Sequence, residues 1–124
     1  MLKFLMKSFN RAKGNTGEQI AVHYLMEHGF SIVEQNFSCK LGEIDIIALR
    51  GNTFHFIEVK YRMTTNFGHG REAVTPTKQR TIHNVAMLYL QKKGLWGEVD
   101  ISFDVIDILG SPTNYQLEFL EECF

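Results

Sequence analysis

The sequence predicts an α/β fold, a mixed five-stranded sheet flanked by helices in the order α-β-β-β-α-β-β. Three observations predict it. Two segments, near residues 15–28 and 75–93, carry apolar side chains at helical spacing behind good cap residues. Residues 42–60 hold two β-branched and aromatic runs about Arg50-Gly51-Asn52, the pattern of a hairpin. Beyond the second helix, Val99, Ile101, Phe103 and Val105 alternate strictly with Glu98, Asp100, Ser102 and Asp104, the pattern of a half-buried strand.

Each element has its own signals. Asn15 or Thr16 caps the first helix, whose apolar stripe is Ala21, Val22 or Tyr24, Leu25 and Met26, and Gly29 closes it. With Asn15 as cap, Glu18 falls in the reciprocal capping-box position, which is its simplest reading from the residues alone. Residues 30–36 read as a first strand, and the hairpin follows. Residues 62–75 read as a long loop rich in Gly, Thr and basic or imidazole groups, of the kind that carries function beside a charged cluster. Thr75-Pro76 opens the second helix as cap and first helical position, and Ile82, Val85, Ala86, Tyr89 and Leu90 form its apolar face. Lys78 and Arg80 oppose the dipole in its first turn, which a bound anion such as phosphate would explain. Gly94 ends that helix. The next strand runs to about Leu109, Gly110-Ser111-Pro112 turns it, and Tyr115, Leu117 and Phe119 mark the last strand. Asp100, Asp104 and Asp107 are expected on the wet face of the sheet.

At 124 residues, 44% hydrophobic and 22% charged, the chain is expected to be a single globular domain, with residues 1–13 as a basic N-terminal segment. No apolar run approaches a membrane span, and the N-terminus lacks the pattern of a signal peptide. Cys39 and Cys123 fit no metal-binding spacing, so reduced thiols and a cytoplasmic location are expected. The net charge is only −1, but its distribution is uneven. Lys3, Lys7, Arg11 and Lys13 open the chain without an acid, and residues 60–93 hold seven bases against Glu72 alone. Residues 94–124 carry seven acids and no base. Such asymmetry fits a basic face built from two segments, the footprint of a polyanion site, and equally fits charges scattered over a solvated surface.

The hairpin concentrates the chemistry. Asp45 lies between isoleucines, and Glu58 and Lys60 straddle Val59. Alternation puts Glu58 and Lys60 on one side of their strand and Val59 on the other. By the same rule Glu43 would share a face with Asp45. Charged groups within apolar strands are costly unless they are paired or hold a metal. A carboxylate, then after one hairpin a carboxylate-x-lysine, suits metal-assisted phosphodiester hydrolysis. An oxygen-ligated divalent cation offsets the charge of the pentavalent transition state and acidifies a bound water, while an ammonium orients that water. Asp45, Glu58 and the Val59 carbonyl would hold Mg²⁺ or Mn²⁺, and Lys60 would meet the water. His55, His69 and His83 show no ordering that would support metal-free acid–base cleavage of RNA.

Several ordered motifs extend this reading: Gly14-x-x-Gly17-Glu18-x-x-Ala21, Leu41-Gly42-Glu43-Ile44-Asp45, Phe56-Ile57-Glu58-Val59-Lys60, Lys78-Gln79, Ala86-x-x-Tyr89-Leu90 and Phe103-Asp104-Val105. With them, residues 14–109 resemble the nuclease superfamily bearing the PD-(D/E)xK motif and the restriction-endonuclease-like fold. The nearest likeness is to the small bacterial YraN family, related to archaeal-type Holliday junction resolvases. The resemblance implies a catalytic set of Glu18, Asp45, Glu58 and Lys60, with Glu18 reaching the metal directly or through water. It implies a DNA nuclease, with branched or junction DNA and a role in repair or recombination as the corresponding expectations. Lys78 and Gln79 match a phosphate-contact patch, and Arg62, Arg71 and Lys13 are further nucleic-acid candidates. Symmetric cutting of a junction would require a homodimer, for which Phe4, Leu5, Met6 and the last strand are candidate surfaces. Ser102 stands where the family often has an arginine, as does Ser38, with Lys40 nearby. The competing expectation is a non-catalytic nucleic-acid-binding or partner-binding module on the same fold. Such a module would be expected to have lost one of Asp45, Glu58 or Lys60, and all three are present.

Overall fold

The computed structural model describes residues 16–63 and 74–124. Its elements follow the expected order: α1 (Thr16–Glu27), β1 (Ser31–Cys39), β2 (Gly42–Arg50), β3 (Thr53–Arg62), α2 (Pro76–Lys92), β4 (Asp100–Ser111) and β5 (Asn114–Leu120). The five strands form one sheet in the order β1-β2-β3-β4-β5. All neighbours are antiparallel except β3 and β4, which α2 joins as a parallel crossover pair.

The turns follow local chemistry. Arg50 pairs with Thr53 across a two-residue Gly51-Asn52 loop, where Gly51 takes φ +62° as a tight hairpin requires. Thr75 caps α2 by accepting the Lys78 N–H at 3.1 Å, with Pro76 next in the first turn. The last turn differs from the expectation. β4 continues through Gly110 and Ser111, and Ser111 pairs with Asn114 about Pro112-Thr113. Gly110 remains in the ladder because its φ of +128° and its close approach to the Asn114 backbone leave no room for a Cβ.

One core lies on each face of the sheet. On one side Ile82, Val85, Ala86, Tyr89 and Leu90 of α2 cover Ile44, Ile47, Phe54 and Phe56. On the other, Ala21 and Leu25 of α1 cover Ile46, Ala48, Ile57, Ile106 and Ile108. The buried residues of α1 are Gly17, Glu18, Ala21 and Leu25, whereas Met26, expected in the apolar stripe, is exposed. Glu18 therefore lies on the packed face of its helix rather than at a solvated end. Its proposed capping partner Asn15 lies outside the described residues.

Asp104 and Asp107 correct the expectation of a wet face. Asp104 is fully buried, and Asp107 is nearly so. One Asp104 oxygen receives the His55 Nδ1 contact at 2.6 Å, and the other accepts from Ser102 Oγ at 2.5 Å and from the Glu122 N–H at 2.9 Å. Both Asp107 oxygens accept from Arg62 Nη2, at 2.7 and 2.8 Å. Each acid is tolerated inside because a hydrogen-bonded partner stands on the neighbouring parallel strand. Among the described residues no helix is long and apolar enough to cross a membrane, and Cys39 and Cys123 are free thiols.

Candidate active site

Strand irregularity positions Asp45. In β2, Ile44 packs on the α2 side and Ile46 on the α1 side, so two-residue alternation fails between them. The β1–β2 register passes from Gln35↔Ile46 to Phe37↔Ile44 without an Asn36–Asp45 pair, and Asn36 has φ +52°. The β2–β3 register ends at Ile46↔Ile57. Asp45 thus has no ladder partner on either side, although the β1–β2 register is the same before and after it. Its Oδ2 accepts the Val59 N–H at 2.9 Å. The broken alternation removes the basis for placing Glu43 on a face with Asp45. Glu43 is exposed and acts on the site through the charge it presents to Lys78.

β3 stays regular through the same region. Phe54 and Phe56 face α2, while Ile57, Val59 and Tyr61 belong to the α1 side. Glu58 and Lys60 therefore share the α2 face, as alternation predicts. Glu58 is 4% exposed. Its Oε2 lies 3.5 Å from Lys60 Nζ and 3.1 Å from Lys78 Nζ. The anion expected near the basic first turn of α2 is thus, here, an internal carboxylate. Burial works to lower the Lys78 pKa, but the hydrogen bond and charge of Glu58, then Asp45 and Glu43, outweigh it and raise the value.

The two carboxylates meet. Burial, followed by the Glu58 charge and a hydrogen bond between the two side chains, pushes the Asp45 pKa from 3.8 up to about 8, against the lowering effect of the Val59 N–H. Glu18 adds a smaller repulsive contribution, which brings the buried α1 acid into the same electrostatic cluster. The pair is an all-oxygen donor set of the kind that hard divalent cations prefer, with excess negative charge for one to neutralise. Among the described residues no three His, Cys, Asp or Glu side chains are gathered closely enough to hold an ion. A site here would rest on two carboxylates completed by a backbone carbonyl and water, a coordination usual for Mg²⁺.

The other candidates are dispersed. Arg62 is committed to Asp107, which stands one strand over, with the Lys60↔Asp107 pair between them. It is held inside the sheet, so it does not present the free guanidinium expected of a nucleic-acid contact. Gln79 Nε2 donates to the Val74 carbonyl at 3.0 Å, tying the helix start to the segment before it. Lys13, Arg71 and most of the loop before α2 lie outside the described residues. The His55–Asp104–Ser102 network escaped the sequence reading because only the parallel β3–β4 register, His55↔Ser102 and Ile57↔Asp104, brings it together. His55 lies on the α1 side against Phe30 and Phe119, whereas His83 of α2 packs at a tilt against Phe103 and stacks with Phe124 on the opposite side.

A mixed five-stranded sheet flanked by helices, in this element order and with Asp45 and Glu58-x-Lys60 meeting on neighbouring strands, defines a chain of the restriction-endonuclease-like α/β class. Residues 17–108 match the family described as "Uncharacterised protein family UPF0102", also called the YraN family, and the chain belongs to that family. A UPF0102 protein of Clostridium perfringens (strain 13 / Type A) is 45% identical over 121 residues, covering 96% of this chain and 98% of the relative. A UPF0102 protein of Clostridium tetani (strain Massachusetts / E88) is 40% identical over the same length and coverage. One of Clostridium botulinum (strain Hall / ATCC 3502 / NCTC 13319 / Type A) is 42% identical over 117 residues, covering 93% of this chain and 95% of the relative.

Proposed function

We propose that this protein is a Mg²⁺- or Mn²⁺-dependent nuclease that hydrolyses DNA phosphodiester bonds, with branched or junction DNA as its preferred form. The observation that carries the reading is Asp45, freed from both strand ladders and set against buried Glu58, with Lys60 on the same face. A fold needs no such arrangement for its own stability, because two adjacent buried carboxylates destabilise it.

Asp45 and Glu58 would hold the cation with the Val59 carbonyl, and Glu18 would support it through water. The cation supplies charge neutralisation on the phosphate and a more acidic bound water. The chain's own residues do the rest. The Val59 N–H fixes the Asp45 carboxylate beside Glu58. The Lys60 ammonium, anchored beside Glu58, orients the attacking water and stabilises negative charge developing on the phosphate oxygens. Water adds to phosphorus, one phosphorus–oxygen ester bond breaks, and the departing oxygen takes a proton.

The test is cleavage of labelled linear, single-stranded, flapped and four-way-junction DNA in Mg²⁺, Mn²⁺ or EDTA, with the Glu58→Ala protein in parallel. Metal-dependent cleavage that Glu58→Ala lacks is the expected result, and the best substrate identifies the preferred form. Binding that persists in EDTA without cleavage of any substrate would replace the nuclease with a non-catalytic DNA-binding module. That reading draws on Lys78, whose ammonium lies beside Glu58 with its side chain 46% exposed.

A further inference from the structure

Lys78 enters the site from a different element than its neighbours do. Asp45, Glu58 and Lys60 belong to the hairpin, whereas Lys78 reaches down from the first turn of α2. It places its ammonium 3.1 Å from Glu58 Oε2, the oxygen that Lys60 already approaches at 3.5 Å. An oxygen flanked by two ammonium groups cannot also bind a divalent cation unless one of them withdraws, because three positive groups would crowd within a few ångströms.

The two lysines differ in their freedom to withdraw. Lys60 is anchored in a central strand two residues from Glu58, with its side chain only 27% exposed. The Lys78 side chain is 46% exposed, and its four-carbon stem springs from an exposed helix start. It can swing outward without disturbing the sheet. That first turn carries no acid that would hold the ammonium once it leaves Glu58.

We propose that Lys78 is a displaceable counter-ion. It neutralises Glu58 until a divalent cation takes that oxygen, and the freed ammonium then turns to the anionic backbone of the nucleic acid. This role rests on the metal-dependent reading of the site. It couples the two binding events: the cation frees Lys78 for phosphate, and by linkage phosphate that holds Lys78 favours the cation.

Lysine footprinting tests the displacement directly. The full-length protein is acetylated briefly with an N-hydroxysuccinimide ester in EDTA or in Mn²⁺, and each lysine's rate is read by mass spectrometry. Mn²⁺ binding is measured in parallel by electron paramagnetic resonance, without DNA, on the unaltered protein, Lys78→Met and Lys92→Met. Lys92, exposed in the last turn of α2, reports the general effect of removing a positive charge. The expected results are an increase of about threefold or more in Lys78 acetylation on adding Mn²⁺, with Lys92 unchanged, and Mn²⁺ binding about tenfold tighter in Lys78→Met but not in Lys92→Met. Mn²⁺ binding with an unchanged Lys78 rate would overturn the counter-ion role and leave the metal site standing. Absence of Mn²⁺ binding in both the unaltered protein and Lys78→Met would overturn the metal site, and the counter-ion role with it.

Discussion

Asp45 keeps a proton to unusually high pH, and that has a measurable consequence for stability. Its carboxyl titrates at 3.8 ordinarily and at about 8 in the folded chain, owing to burial and to the Glu58 charge. A raised folded-state value means that the native protein binds the proton more tightly than the unfolded chain does. The associated stability is full below about pH 4, declines as pH rises toward 8 and is gone above it. Asp45→Asn removes this dependence. In EDTA, urea unfolding should show the variant gaining on the unaltered protein across that window, by at most about 1.4 kcal/mol per pH unit. A gap that is constant from pH 5 to 8 would refute the shifted carboxyl. In the proposed reaction Lys60 acts through chemistry instead. Lys60→Ala should leave Mn²⁺ binding in place and lower cleavage by about 10²–10⁴-fold, the range for a positioned proton-transfer or charge-stabilising group. Cleavage at the native rate would remove Lys60 from the mechanism.

Among the elements, the β3–β4 pair has the greatest structural burden. It is the one parallel junction among the described strands, made through α2, and two buried side-chain contacts, His55–Asp104 and Arg62–Asp107, cross it. Asp104 serves three donors at once: His55, Ser102 and the Glu122 amide. The last of these, with the Cys123 N–H bonded to the Phe103 carbonyl at 2.7 Å, fastens the chain beyond β5 to β4. Asp104→Ala leaves all three donors without their acceptor, so a loss of about 3–5 kcal/mol in urea unfolding is expected. A loss below about 1 kcal/mol would mean that the network contributes little. α2 forms for local reasons, since Thr75, Pro76 and the apolar stripe each favour it. Its approach to β2 is set by Gly42, where φ is +149° and an added Cβ would overlap the Thr81 side chain.

Across the molecule, the sheet separates the candidate site from a buried structural network. The α2 face holds Glu58, Lys60 and Lys78, while the α1 side holds the His55–Asp104 contact with Phe30 and Phe119 around the ring. Among the described residues the two groups share no hydrogen-bond partner, so Asp45→Asn and Asp104→Ala should change unfolding free energy additively, to within about 0.5 kcal/mol. A larger coupling measured in the double variant would show that the sheet transmits strain from one face to the other.

The sequence by itself determined the element order, both helices, the hairpin and the shared face of Glu58 and Lys60. These depend on periodicity, caps and turns, which act over a few residues. Tertiary structure decided what distant residues do to one another. It aimed Asp45 by breaking alternation at a point released from both neighbouring strands, and it turned Glu18 into the cluster through the packing of α1. It also committed Arg62 to Asp107 and buried Asp104 against His55, although the sequence leads one to expect both acids on the wet face of the sheet. The reason is physical. An acid in an amphipathic strand is exposed or buried according to whether a partner stands across the sheet, and a parallel register made through a helix cannot be read along the chain.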